Sequence, residues 1–166
     1  VKITSVEYEI MKDTKIGYIK IKNFGSDTTR DVTRALKNFN LKGVSKIAID
    51  VRNNPGGLLN SAIEISELLL ERGKTIVSTR GKEGSGRVQV FKSESEPLYR
   101  GALIMLVNNG SASASEILAG AVRDNGRGKL LGTKTFGKGS VQKSFNLDDD
   151  IGVAITGQEK VPFTLV

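Results

Sequence analysis

Lys46-Ile47-Ala48-Ile49-Asp50-Val51-Arg52-Asn53-Asn54-Pro55-Gly56-Gly57-Leu58 reads as a buried strand, a tight turn and a helix start. The helix predicted to follow spans about Leu58 to Glu71. It carries Ala62, Ile63, Ile65, Leu68, Leu69 and Leu70, and Gly73 can close it. The pattern recurs downstream. Ala102 to Val107 is the most apolar run and has the length of a buried strand. It passes through Asn108-Asn109-Gly110 into a helix from about Ser113 to Arg123. Strands alternating with helices predict an α/β domain with a mostly parallel sheet. In such sheets ligands bind beyond the carboxyl ends of the strands, so Arg52 to Gly57 and Asn108 to Ser113 are the candidate site turns.

The rest of the chain fits around this unit. Val6-Glu7-Tyr8-Glu9-Ile10 alternates apolar and polar, as a half-buried strand does, and Ile16 to Ile21 reads as a second strand after a polar turn. Ser26 or Asp27 can cap a helix through about Phe39, with Val32, Ala35, Leu36 and Phe39 at helical spacing. Short strands are expected at Thr75 to Thr79, Val88 to Phe91 and Lys129 to Gly132, with a loop at Gly81 to Gly86. Val141 to Leu147 and Ile151 to Thr156 alternate and are expected to pair across Asp148-Asp149-Asp150. Antiparallel strands thus flank the parallel core, and 166 residues suit one domain, 1–166.

Composition narrows the chemistry. The chain has no histidine and no cysteine, which removes Ser-His-Asp and Cys-His catalysis, disulfides and the usual transition-metal ligands. A serine nucleophile would need another base, and lysine serves when its surroundings favour the neutral amine. The net charge of +7 reads as a solvated basic surface. Scattered Lys and Arg, with no basic-aromatic interleaving, argue against nucleic-acid binding. No apolar run is long enough to cross a bilayer, and Val1-Lys2-Ile3-Thr4 lacks a signal-peptide core. That start suits a cytosolic chain or a mature or excised one.

Three motifs carry chemical potential. Asn53-Asn54-Pro55-Gly56-Gly57 is either a plain tight turn or a nest of N–H groups able to hold an oxyanion. Ser111, Ser113 and Ser115 cluster at a helix start. Ser113 with Glu116 makes a Ser-x-x-Glu capping box, while the rival reading makes one serine a nucleophile beside the helix N-terminus. Gly132 to Lys138 resembles the start of a phosphate-binding loop, but Gly139 stands where that motif needs Ser or Thr. Lys138 lies instead among Phe136, Gly137 and Gly139, a setting suited to a buried amine, with Gln142 four residues on to orient it.

In order and spacing, Arg52 to Gly57, Gly110-Ser111-Ala112-Ser113-Ala114-Ser115-Glu116-Ile117 and Thr135-Phe136-Gly137-Lys138-Gly139-Ser140-Val141-Gln142 closely resemble the carboxyl-terminal processing (tail-specific) proteases. The resemblance spans roughly Ile16 to Phe145. It implies the α/β core of the ClpP/crotonase superfamily and a serine endopeptidase with a Ser-Lys dyad, needing no cofactor and no metal. By motif position the nucleophile is Ser113, the base Lys138 and its orienting partner Gln142. The oxyanion hole is formed by the N–H groups of Ala114 and of Gly57, favoured over Gly56. The implied partners are protein or peptide substrates with exposed C-termini, in a protein that can form homo-oligomers. The implied location is a bacterial periplasm or cell envelope, or a chloroplast lumen. The family usually carries a PDZ domain ahead of this core; this chain shows none, and Ile151 to Val166 departs from the family pattern. The other readings are a non-catalytic peptide-binding core and an ATP-utilising protein.

Overall fold

The computed structural model describes residues 4–80, 88–138, 143–146 and 152–155. Its centre is a five-stranded sheet in the order β1 (Val6–Ile10), β2 (Gly17–Ile21), β3 (Lys46–Asp50), β6 (Ala102–Val107), β7 (Lys129–Gly132). β2, β3, β6 and β7 run parallel, and β1 is antiparallel to β2. β4 (Thr75–Arg80) with β5 (Val88–Lys92), and β8 (Lys143–Asn146) with β9 (Gly152–Ile155), form two antiparallel ribbons. The last ribbon is the predicted pairing of the alternating segments near the end of the chain. α1 (Thr28–Leu41), α2 (Leu59–Glu67) and α3 (Ala114–Asp124) complete the α/β core.

Register explains how the core forms. Ile19 pairs with Ile49 and Ile49 with Met105, so one face of three adjacent strands presents fully buried apolar side chains. Val32, Leu36 and Phe39 of α1 and Leu118 and Val122 of α3 join them in one cluster. Each such side chain contributes roughly 1.5–3 kcal/mol on burial. Gly17 is part of the fit: a Cβ there would stand 2.6 Å from the Phe39 ring. The opposite face is more polar, carrying Lys20 beside Asp50, with Ile104 partly exposed.

α2 ends earlier than its apolar run suggests. Beyond Glu67 the Leu68 carbonyl accepts the N–H groups of Leu98 (2.9 Å) and Tyr99 (3.1 Å), so the connector to β6 takes the place of further helical turns. Leu69 and Leu70 remain buried outside the helix. Parallel pairing of β3 with β6 brings their carboxyl ends together, and Val51 N–H bonds the Leu106 carbonyl at 3.0 Å. The two turns singled out by the sequence therefore lie side by side.

Candidate active site

Asn54 joins the turns. It is fully buried; its amide donates to the Ile21 carbonyl (2.8 Å) and its side-chain oxygen accepts Gly56 N–H (2.9 Å). Its own carbonyl accepts Ala112 N–H and the Ser115 hydroxyl, both at 3.0 Å. Beside it Asn53, at φ 59°, exchanges two hydrogen bonds with Asn108: main-chain N–H to Oδ1 and Nδ2 to Oδ1, each 2.9 Å. Buried polar groups are costly unless paired, so this closed network fixes one relative placement of the turns.

The network separates the three serines. Ser111 is fully buried, donating to the Val51 carbonyl (2.8 Å) and accepting Asn108 N–H (3.1 Å). Ser115 is equally buried on Asn54. Ser113 alone is partly accessible, and it sits at the N-cap of α3 with φ 53° and ψ −115°. Non-glycine residues rarely adopt positive φ, and such strain concentrates at functional positions. The expected capping box is present: Ser113 N–H donates to Glu116 Oε2 at 2.9 Å and Glu116 N–H faces the Ser113 side chain. Glu116 N–H also bonds the Ser113 carbonyl at 2.8 Å.

Gly56 lies against this serine, and Gly57 follows it in the same turn. A Cβ on Gly56 would stand 2.8 Å from the Ser113 Cβ and 3.0 Å from the Ala114 nitrogen. Gly57, at φ +142°, is clamped by Phe24, whose N–H bonds the Gly56 carbonyl (2.9 Å) and whose carbonyl accepts Leu58 N–H (2.7 Å). A Cβ on Gly57 would meet the Phe24 carbonyl oxygen at 2.3 Å. Gly56 N–H is used by Asn54, but among the described residues no acceptor engages the N–H of Gly57 or of Ala114. Two main-chain donors beside a serine at a helix N-terminus can hold a developing negative charge.

The segment carrying Lys138 docks on the same helix start. Phe136 N–H bonds the Ser111 carbonyl (3.0 Å), Gly137 N–H bonds Glu116 Oε1 (2.7 Å) and Lys138 N–H bonds Glu116 Oε2 (3.0 Å). Lys138 is partly buried, but Phe136 is 68% exposed and turned outward, so the apolar shelter expected from that ring is absent. Gln142 lies outside the described residues. Of the residues singled out by the motifs, Ser113 and Ala114 lie against the Gly56-Gly57 turn, and the Lys138 main chain is bonded to Glu116. The roles of Asn54 and of the Glu116 link to 137–138 escaped them, because both depend on partners distant in sequence.

A second network braces the turn from the sheet. Asp50, 1% exposed, accepts the Tyr18 hydroxyl (2.6 Å) and three N–H groups of Arg52, and pairs with Lys20 Nζ at 3.1 Å. Burial alone would push its acidity down. The hydrogen bonds from the Arg52 side chain, Tyr18, the Arg52 main chain and Lys20 outweigh burial and hold its carboxyl well below the usual carboxylate range. Tyr18 is pushed up to about 12, by burial first and then by bonding to Asp50. A cavity of about 610 Å³ opens at the amino ends of β3, β6 and β7, beside Lys46, Ala102, Ile104 and Lys129, at the other end of the strands from these turns.

Comparison with known proteins fits this arrangement. The sequence profile of peptidase family S41 matches residues 15–162. A carboxyl-terminal-processing protease of Picosynechococcus sp. is 44% identical over 145 residues, covering 86% of this chain and 34% of the relative. The carboxy-terminal processing protease of Bacillus subtilis is 40% identical over 149 residues, covering 90% of this chain and 32% of the relative. The chain thus spans about a third of the length of these curated relatives. Among solved structures, a photosystem II D1 C-terminal processing protease superposes with a TM-score of 0.81 at 32% identity, covering 98% of this chain and 45% of that one.

Proposed function

Since the chain belongs to peptidase family S41, we propose that it is the catalytic core of a serine endopeptidase that cleaves protein substrates near their C-termini. Ser113 Oγ attacks the scissile carbonyl while Lys138 Nζ takes its proton. The oxyanion is received by the N–H groups of Gly57 and Ala114. Lys138 then protonates the departing amine, and an activated water releases the acyl group from Ser113. Gln142 orients Lys138. This chemistry asks for no metal or cofactor. The observation that carries the reading is the strained Ser113, the one accessible serine of the three, beside two main-chain donors that have no acceptor among the described residues.

Substrate choice near C-termini, a PDZ domain in the whole protein, assembly into oligomers and a place in an envelope or lumen are parts of the same proposal. The relatives' names support the first and the last of these, among them a chloroplastic carboxyl-terminal-processing peptidase of Arabidopsis thaliana; the PDZ domain and the oligomers rest on the family resemblance alone. Among the described residues no helix is long and apolar enough to cross a membrane.

The test is cleavage of a denatured protein and labelling by a fluorophosphonate probe. Ser113→Ala and Lys138→Ala are each expected to abolish turnover with the fold intact, and the probe to label Ser113. Turnover retained in either variant would overturn the dyad. A folded protein that binds peptide with neither turnover nor labelling would make it a binding core.

A further inference from the structure

We propose that Glu116 is a positioning residue: one buried carboxylate fixes the main chain that carries Lys138 to the turn that carries Ser113. The inference rests on the dyad reading above. Glu116 is 3% exposed, and its two oxygens accept three N–H groups, those of Ser113, Gly137 and Lys138, at 2.9, 2.7 and 3.0 Å. A carboxylate has about four acceptor sites and no donor, so it alone among side chains of this length can take all three. Bonds to an ionised acceptor are roughly twice as strong as neutral ones.

Helix capping does not explain this pattern. A cap needs only the Ser113 N–H, three residues away, whereas Gly137 and Lys138 are 21 and 22 residues away. Those two bonds do nothing for α3. What they fix is the origin from which the Lys138 side chain extends, measured from the same oxygen, Oε2, that fixes Ser113. Nucleophile and base then move as one body, and their separation is insulated from motion in the loop. A carboxamide cannot replace the group: its NH2 would face one of the three donors. Aspartate keeps the charge and suits a helix first turn, but it is one methylene too short to serve both segments.

The experiment uses the intact protein and compares wild type, Glu116→Asp, Glu116→Gln, Ser113→Ala and Lys138→Ala. It reads kcat, KM, melting temperature and hydrogen exchange of the 133–138 segment. Glu116→Asp is expected to melt close to wild type and hold KM within about twofold, while kcat falls about 100-fold. Exchange at Gly137 and Lys138 should quicken about tenfold or more as their bonds are lost. Wild-type kcat in Glu116→Asp would overturn the proposal, since that variant rescues a purely capping role. Fast exchange of the Gly137 and Lys138 amides in the wild type would overturn it even if neither Glu116 variant folds. Turnover surviving in Ser113→Ala or Lys138→Ala would remove the dyad instead, and the exchange result would still decide the tether.

Discussion

Gly56 packs directly onto Ser113: a Cβ added to the glycine would stand 2.8 Å from the serine Cβ. The same added atom would meet the Ala112 carbonyl oxygen at 2.8 Å, and Gly56 holds φ +103°. Gly56→Ala is therefore expected to destabilise the fold by about 2–3 kcal/mol and to reduce turnover by at least about 100-fold. Gly73→Ala is the control, with φ +84° but nothing within 4 Å of the added atom. It should cost only about 1 kcal/mol and leave turnover unchanged. Urea unfolding and peptide cleavage on both variants check this.

The three serines should separate by phenotype. Ser111→Ala strips two hydrogen bonds from a fully buried site and should lower stability by about 1–3 kcal/mol, while turnover persists in the folded fraction. Ser113→Ala should abolish turnover with stability within about 0.5 kcal/mol of wild type. A loss of turnover in folded Ser111→Ala as complete as in Ser113→Ala would show that stability and catalysis are not divided in this way.

Asn54→Ala removes the side chain that binds Gly56 N–H and the Ile21 carbonyl. Freed Gly56 N–H would compete with Gly57 for an incoming oxyanion, and the turn would lose its registration. The expected outcome is a destabilisation of about 2–3 kcal/mol and a fall in kcat larger than any rise in KM. Chemical denaturation with steady-state kinetics on one preparation measures both.

Tyr18 gives alkaline stability a definite sign. Its hydroxyl ionises near 10 when unfolded but is pushed up to about 12 in the folded protein, by burial and by its bond to Asp50. The unfolded chain loses that proton first, so this contribution is intact below about pH 10 and disappears between about 10 and 12. Tyr18→Phe should flatten that limb of the stability–pH curve. Asp50 works in the opposite direction. Its folded acidity is increased, so its contribution is complete above about pH 4 and is lost as the solution becomes more acidic. Denaturant midpoints across pH for wild type and Tyr18→Phe test both limbs, and an unchanged alkaline limb in Tyr18→Phe would remove this assignment.

Local pattern carried much of this structure. Strand and helix periods around 46–58 and 102–123 predict the β3-turn-α2 and β6-turn-α3 units, because each unit buries its apolar face close to where it is made. The fold sets Ser113 and Ala114 against the Gly56-Gly57 turn. The early end of α2 was not legible, since Leu98 and Tyr99 take the Leu68 carbonyl from thirty residues downstream. Glu116 looked like a local cap, and its longer reach emerges only once 136–138 folds back over α3. Phe136 looked like shelter for Lys138, but an aromatic ring beside glycines is free to face outward, and here it does.

The Asn54–Ser115 and Val51–Ser111 bonds join residues 61 and 60 positions apart across a parallel seam. Long-range parallel pairing is slow to form, because the chain must close large loops before any contact rewards it. A fragment ending before α3 holds the first glycine turn without the strained serine, so the candidate site assembles only after the second turn has folded onto the first. On dilution from denaturant, recovered turnover should follow the slowest refolding phase seen by circular dichroism.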